Sequence, residues 1–96
     1  MSRLLASPLS LDVEERQGVP HILRLEGRRN EFAVREWHVA QVCARWRVDT
    51  EWWREHVARD YWKVLLRAAG GVEESLLCDV YLDRSSCEWF LSRVYD

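Results

Sequence analysis

The sequence predicts a mainly β fold, a single curled antiparallel sheet or small barrel of about six strands, with at most a short helix or helical turn near residues 49–56. Three observations predict it. Apolar and polar residues alternate over short stretches, as in Leu9, Leu11 and Val13 against Ser10, Asp12 and Glu14. Turn-forming residues recur at short spacing, at Gln17-Gly18-Val19-Pro20, Gly27-Arg28-Arg29-Asn30, Gly70-Gly71 and Asp83-Arg84-Ser85-Ser86. The last third of the chain closes on itself as a meander whose register the pattern specifies.

Taken in order, residues 9–14 read as a half-buried strand and residues 21–26 as a second, with Leu23 and Leu25 inward, so the chain opens on a hairpin. Residues 1–8 are expected as a loose N-terminal tail to one domain spanning 1–96. Between residues 31 and 48 the apolar phase changes twice. Phe32 and Val34 share one parity, Trp37 and Val39 the other, and Val42, Trp46 and Val48 return to the first. That predicts a bent strand pair with bulges, and a helix over residues 34–43 is the competing assignment. Asp49 or Thr50 could cap a helix with Glu51 and Glu55 in its first turns, hence the helical turn or loop expected there.

Residues 59–68 and 73–82 then form a hairpin around Gly70-Gly71. Its register sets Trp62 opposite Val80, Val64 opposite Cys78, Leu66 opposite Leu76, and Lys63 opposite Asp79 as a charge pair. A one-residue slip would set Trp62 against Asp79. A loop over residues 83–86 leads to the last strand, with Cys87 on the apolar face, Trp89 expected opposite Val80 and Leu91 opposite Cys78.

A chain of 96 residues has a small core, and its 6 Trp can each bury ~150–250 Å². The 14 basic residues are 13 Arg and Lys63, against 16 acids, for a net charge of −2. A dedicated duplex binder carries a basic footprint that this chain lacks. No apolar run is long enough for a membrane helix, and the short, interrupted apolar start does not resemble a secretory signal, so a cytoplasmic location is expected. The motifs of common chemistries are missing from the sequence. There is no C-x-x-C or H-x-x-x-H for a metal, no G-x-S-x-G for a nucleophile and no P-loop Lys-Ser/Thr after Gly70-Gly71, so no catalytic residue, metal or cofactor is assigned. Cys43, Cys78 and Cys87 are expected as small buried hydrophobes, and the acids Asp49, Glu51, Glu55 and Asp60 as a solvated face.

One constellation stands apart. Arg45-Trp46-Arg47 and Trp52-Trp53-Arg54 combine the residue types most enriched at binding hot spots, and residues 28–47 carry 5 Arg against 2 Glu. The same pairing suits single-stranded nucleic acid, where bases stack on aromatics and Arg holds the backbone. Against this stands the possibility that the Trp are core and the Arg flank strands. Adjacent residues point apart, so Trp52 and Trp53 cannot both enter one small core, and one of them is expected to be exposed. The expected partner site is therefore Trp52, Trp53, Arg45, Arg47 and Arg54.

Four spaced segments carry a family likeness: Trp46-Arg47-Val48-Asp49-x-x-Trp52-Trp53-Arg54, Arg59-Asp60-Tyr61-Trp62-x-Val64, Tyr81-Leu82-Asp83, and Trp89-Phe90-Leu91-x-Arg93-Val94-Tyr95-Asp96. Together they resemble a small uncharacterised domain at the C-terminal end of bacterial ImuB-type proteins, which are catalytically defective relatives of Y-family translesion polymerases; similar free-standing short chains also occur. The likeness covers residues 45–96 well and residues 9–44 only through the strand pattern. The family pattern has Gly in its last hairpin, where this chain has Ser86-Cys87. The resemblance implies a non-catalytic accessory role in DNA repair or translesion synthesis, with a protein partner that is polymerase-like or a repair protein. Weak single-stranded nucleic-acid binding is the alternative expectation. Oligomeric state is not legible from the sequence.

Overall fold

The computed structural model describes residues 2–25, 36–52, 55–71 and 73–95. These form six antiparallel strands in chain order: β1 (Ser2–Arg16), β2 (Val19–Leu25), β3 (Glu36–Trp52), β4 (Glu55–Ala68), β5 (Ser75–Asp83) and β6 (Glu88–Tyr95). Each strand pairs with the next, and β1 also pairs with β6, so one sheet closes into a ring. The expected fold class is therefore the observed one. Among the described residues there is no helix, and so none long and apolar enough to cross a membrane.

The opening hairpin turns at Gln17 and Gly18, which have φ of 54° and 76°. Two consecutive left-handed residues match the right-handed twist of the flanking strands, and glycine adopts that conformation without a Cβ clash. The ladder that follows sets Val13 opposite Leu23 and Leu11 opposite Leu25, all facing inward. Residues 2–8, expected as a loose tail, belong to β1, and residues 2–4 pair with the end of β6, from Ser2 opposite Tyr95 to Leu4 opposite Arg93. The alternation that marks residues 9–14 is broken further upstream because the register shifts between Leu4 and Leu9.

β3 is one long strand rather than a strand pair or a helix. Its two phase changes are bulges against β4, between Val39 and Gln41 and between Val42 and Ala44. Residues 31–35 lie outside the described residues. The helical turn expected near 49–56 is absent at the described positions. Asp49 and Thr50 pair with Ala58 and Val57, and β3 and β4 run out as a hairpin to Trp52 opposite Glu55. The local capping signal yields to cross-strand pairing, because residues 55–59 supply a complete partner strand and Asp49 finds Arg84 at 2.9 Å in place of a helix terminus.

The β4–β5 register is as expected, with Trp62 opposite Val80, Val64 opposite Cys78 and Leu66 opposite Leu76. The β5–β6 register differs by two residues. Trp89 faces Leu82, Leu91 faces Val80 and Val94 faces Cys78, with Ser92 taken up by a bulge. The cause is the turn. Cys87 is no strand residue but sits exposed at φ 60°, its N–H donating to the Asp83 carbonyl at 2.7 Å. A shift of two preserves the side-chain parity, so the inner face stays apolar. Trp62 and Trp89 meet there with ring centroids 5.0 Å apart, among Leu23, Trp37, Val64, Leu66, Val80 and Leu91.

Candidate functional site

The expected site divides. Arg45 and Arg47 face the inner side of the sheet, opposite Trp62 and Asp60. The Arg45 guanidinium caps the end of the core, 5.1 Å from the Trp62 ring centroid. Arg47 Nε donates to Asp60 Oδ1 at 2.8 Å, and Arg84 approaches the same oxygen at 3.8 Å while donating to Asp49 Oδ2 at 2.9 Å. Asp60 is thus a buried ion-pair partner and not part of a solvated acidic face. Arg84 also holds the Asp49 carboxyl below the usual carboxylate range, chiefly through that hydrogen bond. Trp52 ends β3, while Trp53 and Arg54 lie outside the described residues, as does the expectation that one of the adjacent Trp is exposed.

The second bulge, at Cys43, reverses the phase of β3, so Trp46, alternating with these two arginines, lies on the outer face. There it begins a row of aromatic rings, one from each of four adjacent strands. Trp46 stacks on Tyr61 at 5.2 Å and 8°, Tyr61 meets Tyr81 at 5.0 Å, and Tyr81 meets Phe90 at 5.2 Å. The row follows from register alone, since Trp46, Tyr61, Tyr81 and Phe90 are successive cross-strand partners. Tyr81 is buried beneath its neighbours and the Arg59 guanidinium, which lies 4.6 Å from its ring centroid. Trp46, at the end of the row, keeps 38% of its surface exposed.

Beside the row lies a groove of about 580 Å³. One wall is Leu4, Leu5 and Pro8 of β1, where that strand leaves its ladder with β6; the other is Trp46, Arg59, Tyr61 and Tyr81, and the far end is Asp79, Ser92, Arg93 and Tyr95. Asp79 is the chemical centre. It is 5% exposed on the outer face, where Tyr95 Oη donates to its Oδ2 at 2.8 Å and Arg93 Nε stands 3.9 Å from the same oxygen. Its Oδ1 is buried and has no hydrogen-bond partner. Lys63, although opposite Asp79 in register, places its ammonium 4.4 Å from the Tyr95 ring centroid, so the expected Lys63–Asp79 charge pair is replaced by a cation–π contact. Burial, then the hydrogen bond to Asp79, pushes the Tyr95 phenol above its ordinary range. Burial also raises the Tyr81 phenol, against the opposing charge of Arg59.

The sequence assigns none of Tyr61, Tyr81, Phe90, Asp79 and Arg59 to the binding site, yet it carries a signal for them. A register that sets Trp62 against Val80 inward sets Tyr61 against Tyr81 outward. Of the cysteines, only Cys78 is a buried hydrophobe, its thiol pushed far up by burial; Cys43 and Cys87 are exposed. No group of His, Cys, Asp and Glu among the described residues is placed to hold a metal ion. Comparison with family models, curated proteins and solved structures gives no match.

Proposed function

We propose that the chain is a non-catalytic protein-interaction module that receives its partner on the outer face of β4–β6, in the groove beside the aromatic row. The observation that carries this is the pairing of a half-exposed Trp46 and stacked tyrosines with a buried carboxylate oxygen that lacks a donor. An unpaired buried acceptor costs ~1–3 kcal/mol, which a donor arriving with an apolar partner segment would recover. Aromatic anchors beside arginines are the composition of binding hot spots. An accessory role in DNA repair or translesion synthesis, beside a polymerase-like protein in a bacterial cytoplasm, is part of this proposal and rests on the spaced motifs of residues 45–96.

A second function has one observation in its favour. Arg59 and Arg93 both line the groove with the aromatic row, as a single-stranded nucleic acid would require. Two measurements test the pair. Trp46→Ser and Arg59→Ser are expected to keep a cooperative melt and lose partner recovery; retention of the partner by both would sink the interaction proposal. Fluorescence titration with a thymidine oligonucleotide is expected to give weak binding at most, and tight binding that falls steeply with salt would favour the nucleic-acid function instead.

A further inference from the structure

We propose that the chain forms a two-fold dimer in which residues 44–52 of β3 pair antiparallel with the same residues of a second copy, centred on Val48. β3 pairs with β2 only from Glu36 to His38, and beyond that its described partners all lie in β4. After the second bulge, residues 44–52 run opposite residues 55–63 without a further register shift and without proline. This is a regular edge about 30 Å long, whose outward N–H and C=O groups form a template for another strand.

The charges on that edge select the strand it accepts. Arg45, Arg47 and Asp49 share one side of β3, with Glu51 at the next position of the same parity. Charges so placed normally repel an added strand. In antiparallel order about Val48, however, position 45 opposes 51 and position 47 opposes 49, so each arginine meets an acid. The register is specified as well. Moving the two-fold centre by one residue along the strand sets Arg47 against Arg47 in one direction and Asp49 against Asp49 in the other. Half-residue moves set all four charges opposite uncharged residues, so no ion pair forms. A second copy of this chain is the strand that the pattern fits, and an isologous two-fold contact closes without leaving a free edge there.

Two further features agree. Arg45 makes its contact with the Trp62 ring and has no carboxylate partner among the described residues. Trp46 ends the aromatic row with its outer side uncovered, and the added strand would bring Thr50 opposite it and cover that side. This surface is the edge of β3, and it meets the groove only at Trp46.

Analytical ultracentrifugation of the full chain over a concentration series is expected to give a reversible monomer–dimer equilibrium. Arg45→Glu and Glu51→Arg each turn two attractive pairs per dimer into repulsive ones, and each alone is expected to weaken dimerisation ~10-fold or more. Their equimolar mixture is expected to associate again, because the heterodimer restores an arginine–glutamate pair at both 45–51 contacts. A second measurement is independent of those variants. In a Cys43→Ser, Cys87→Ser background, Val48→Cys is expected to cross-link to its own copy on mild oxidation, and Thr50→Cys, opposite Trp46, is not. A wild-type chain that stays monomeric throughout, single charge variants that dimerise as the wild type does, or Thr50→Cys cross-linking as fast as Val48→Cys would each overturn the dimer.

Discussion

The inner and outer faces of the β4–β6 meander each carry a row of large side chains, and they differ in what lies over them. Inside, Trp62 and Trp89 meet at 5.0 Å with tilted rings and are covered by β1, β2 and β3 across the ring. Outside, Tyr61, Tyr81 and Phe90 meet at similar distances, and Trp46 extends the row to a half-exposed end. The inner row contains no ionised group except at its rim, where Arg45, Arg47, Asp60 and Arg84 close it. The outer row is interleaved with Arg59, Lys63 and Asp79, the cations lying on ring faces. Ring-to-ring contact is thus common to both faces, and closure of the sheet decides which one becomes core. Closure leaves the outer face with surface that folding does not consume.

The largest expected effect separates the two rows directly. Trp62 is 2% exposed and touches the centre of the core, so Trp62→Ala should cost ~3–5 kcal/mol. Trp46→Ala loses one stacking contact and part of an exposed ring, and should cost ~1 kcal/mol. Urea denaturation of the two variants checks this. Equal losses would mean that the outer row is as structural as the inner one, and would remove the grounds for a binding surface there.

Much of this division is legible in the sequence, and the failures have a common origin. Alternation identified the inward residues of β1, β2, β4 and β5, because each of those strands keeps one phase along its apolar stretch. The β4–β5 register followed from the need to keep Asp79 away from Trp62. β3 defeats this method. Val42 and Trp46 share a parity and would share a face, but the bulge at Cys43 lies between them and reverses the phase. One extra residue therefore sends Trp46 outward and turns Arg45 and Arg47 inward. No residue at that point signals a bulge. The β5–β6 slip has a similar cause, since nothing in Ser86-Cys87 marks a left-handed residue. The outer aromatic row went unread for a different reason: Tyr81 is buried by its own neighbours, and outward parity alone does not separate a ring ladder from scattered surface side chains.

The next effect probes how the outer face holds Asp79. Tyr95→Phe removes the 2.8 Å hydrogen bond to Oδ2 and leaves a buried carboxylate without a hydrogen-bond donor, at an expected cost of ~1–2 kcal/mol near neutral pH. The pH dependence carries a sign. The Tyr95 phenol titrates higher in the fold than in the unfolded chain, so its contribution is complete below the unfolded value of about 10 and is lost as pH rises through the folded one. Wild-type stability should therefore fall on the alkaline side, and fall less steeply in Tyr95→Phe, with Tyr81 supplying what decline remains. Denaturation midpoints measured across that alkaline range decide it. Identical slopes would place Tyr95 outside the linkage.

The smallest effect tests the turn that aligns the outer row. Tyr81 faces Phe90 because β5 and β6 close at Asp83 opposite Glu88, and that closure requires Cys87 at φ 60°. A left-handed conformation costs an L-residue roughly 1–2 kcal/mol. Glycine escapes that cost but loses ~0.5–1 kcal/mol more chain entropy on folding. Cys87 is exposed, so its side chain has little packing to forfeit. Cys87→Gly should therefore stabilise the domain by about 0.5–1 kcal/mol, a rise of a few degrees in Tm for a chain of this size. The Asx-type bond from the Ser85 N–H to Asp83 Oδ1 and the Cys87 N–H bond to the Asp83 carbonyl both survive the change, so the turn keeps its shape. A melting curve under reducing conditions is the measurement. A lower Tm would mean that the strand register is held by the facing side chains and not by the turn, which would shift the origin of the aromatic row from the loop to the rings themselves.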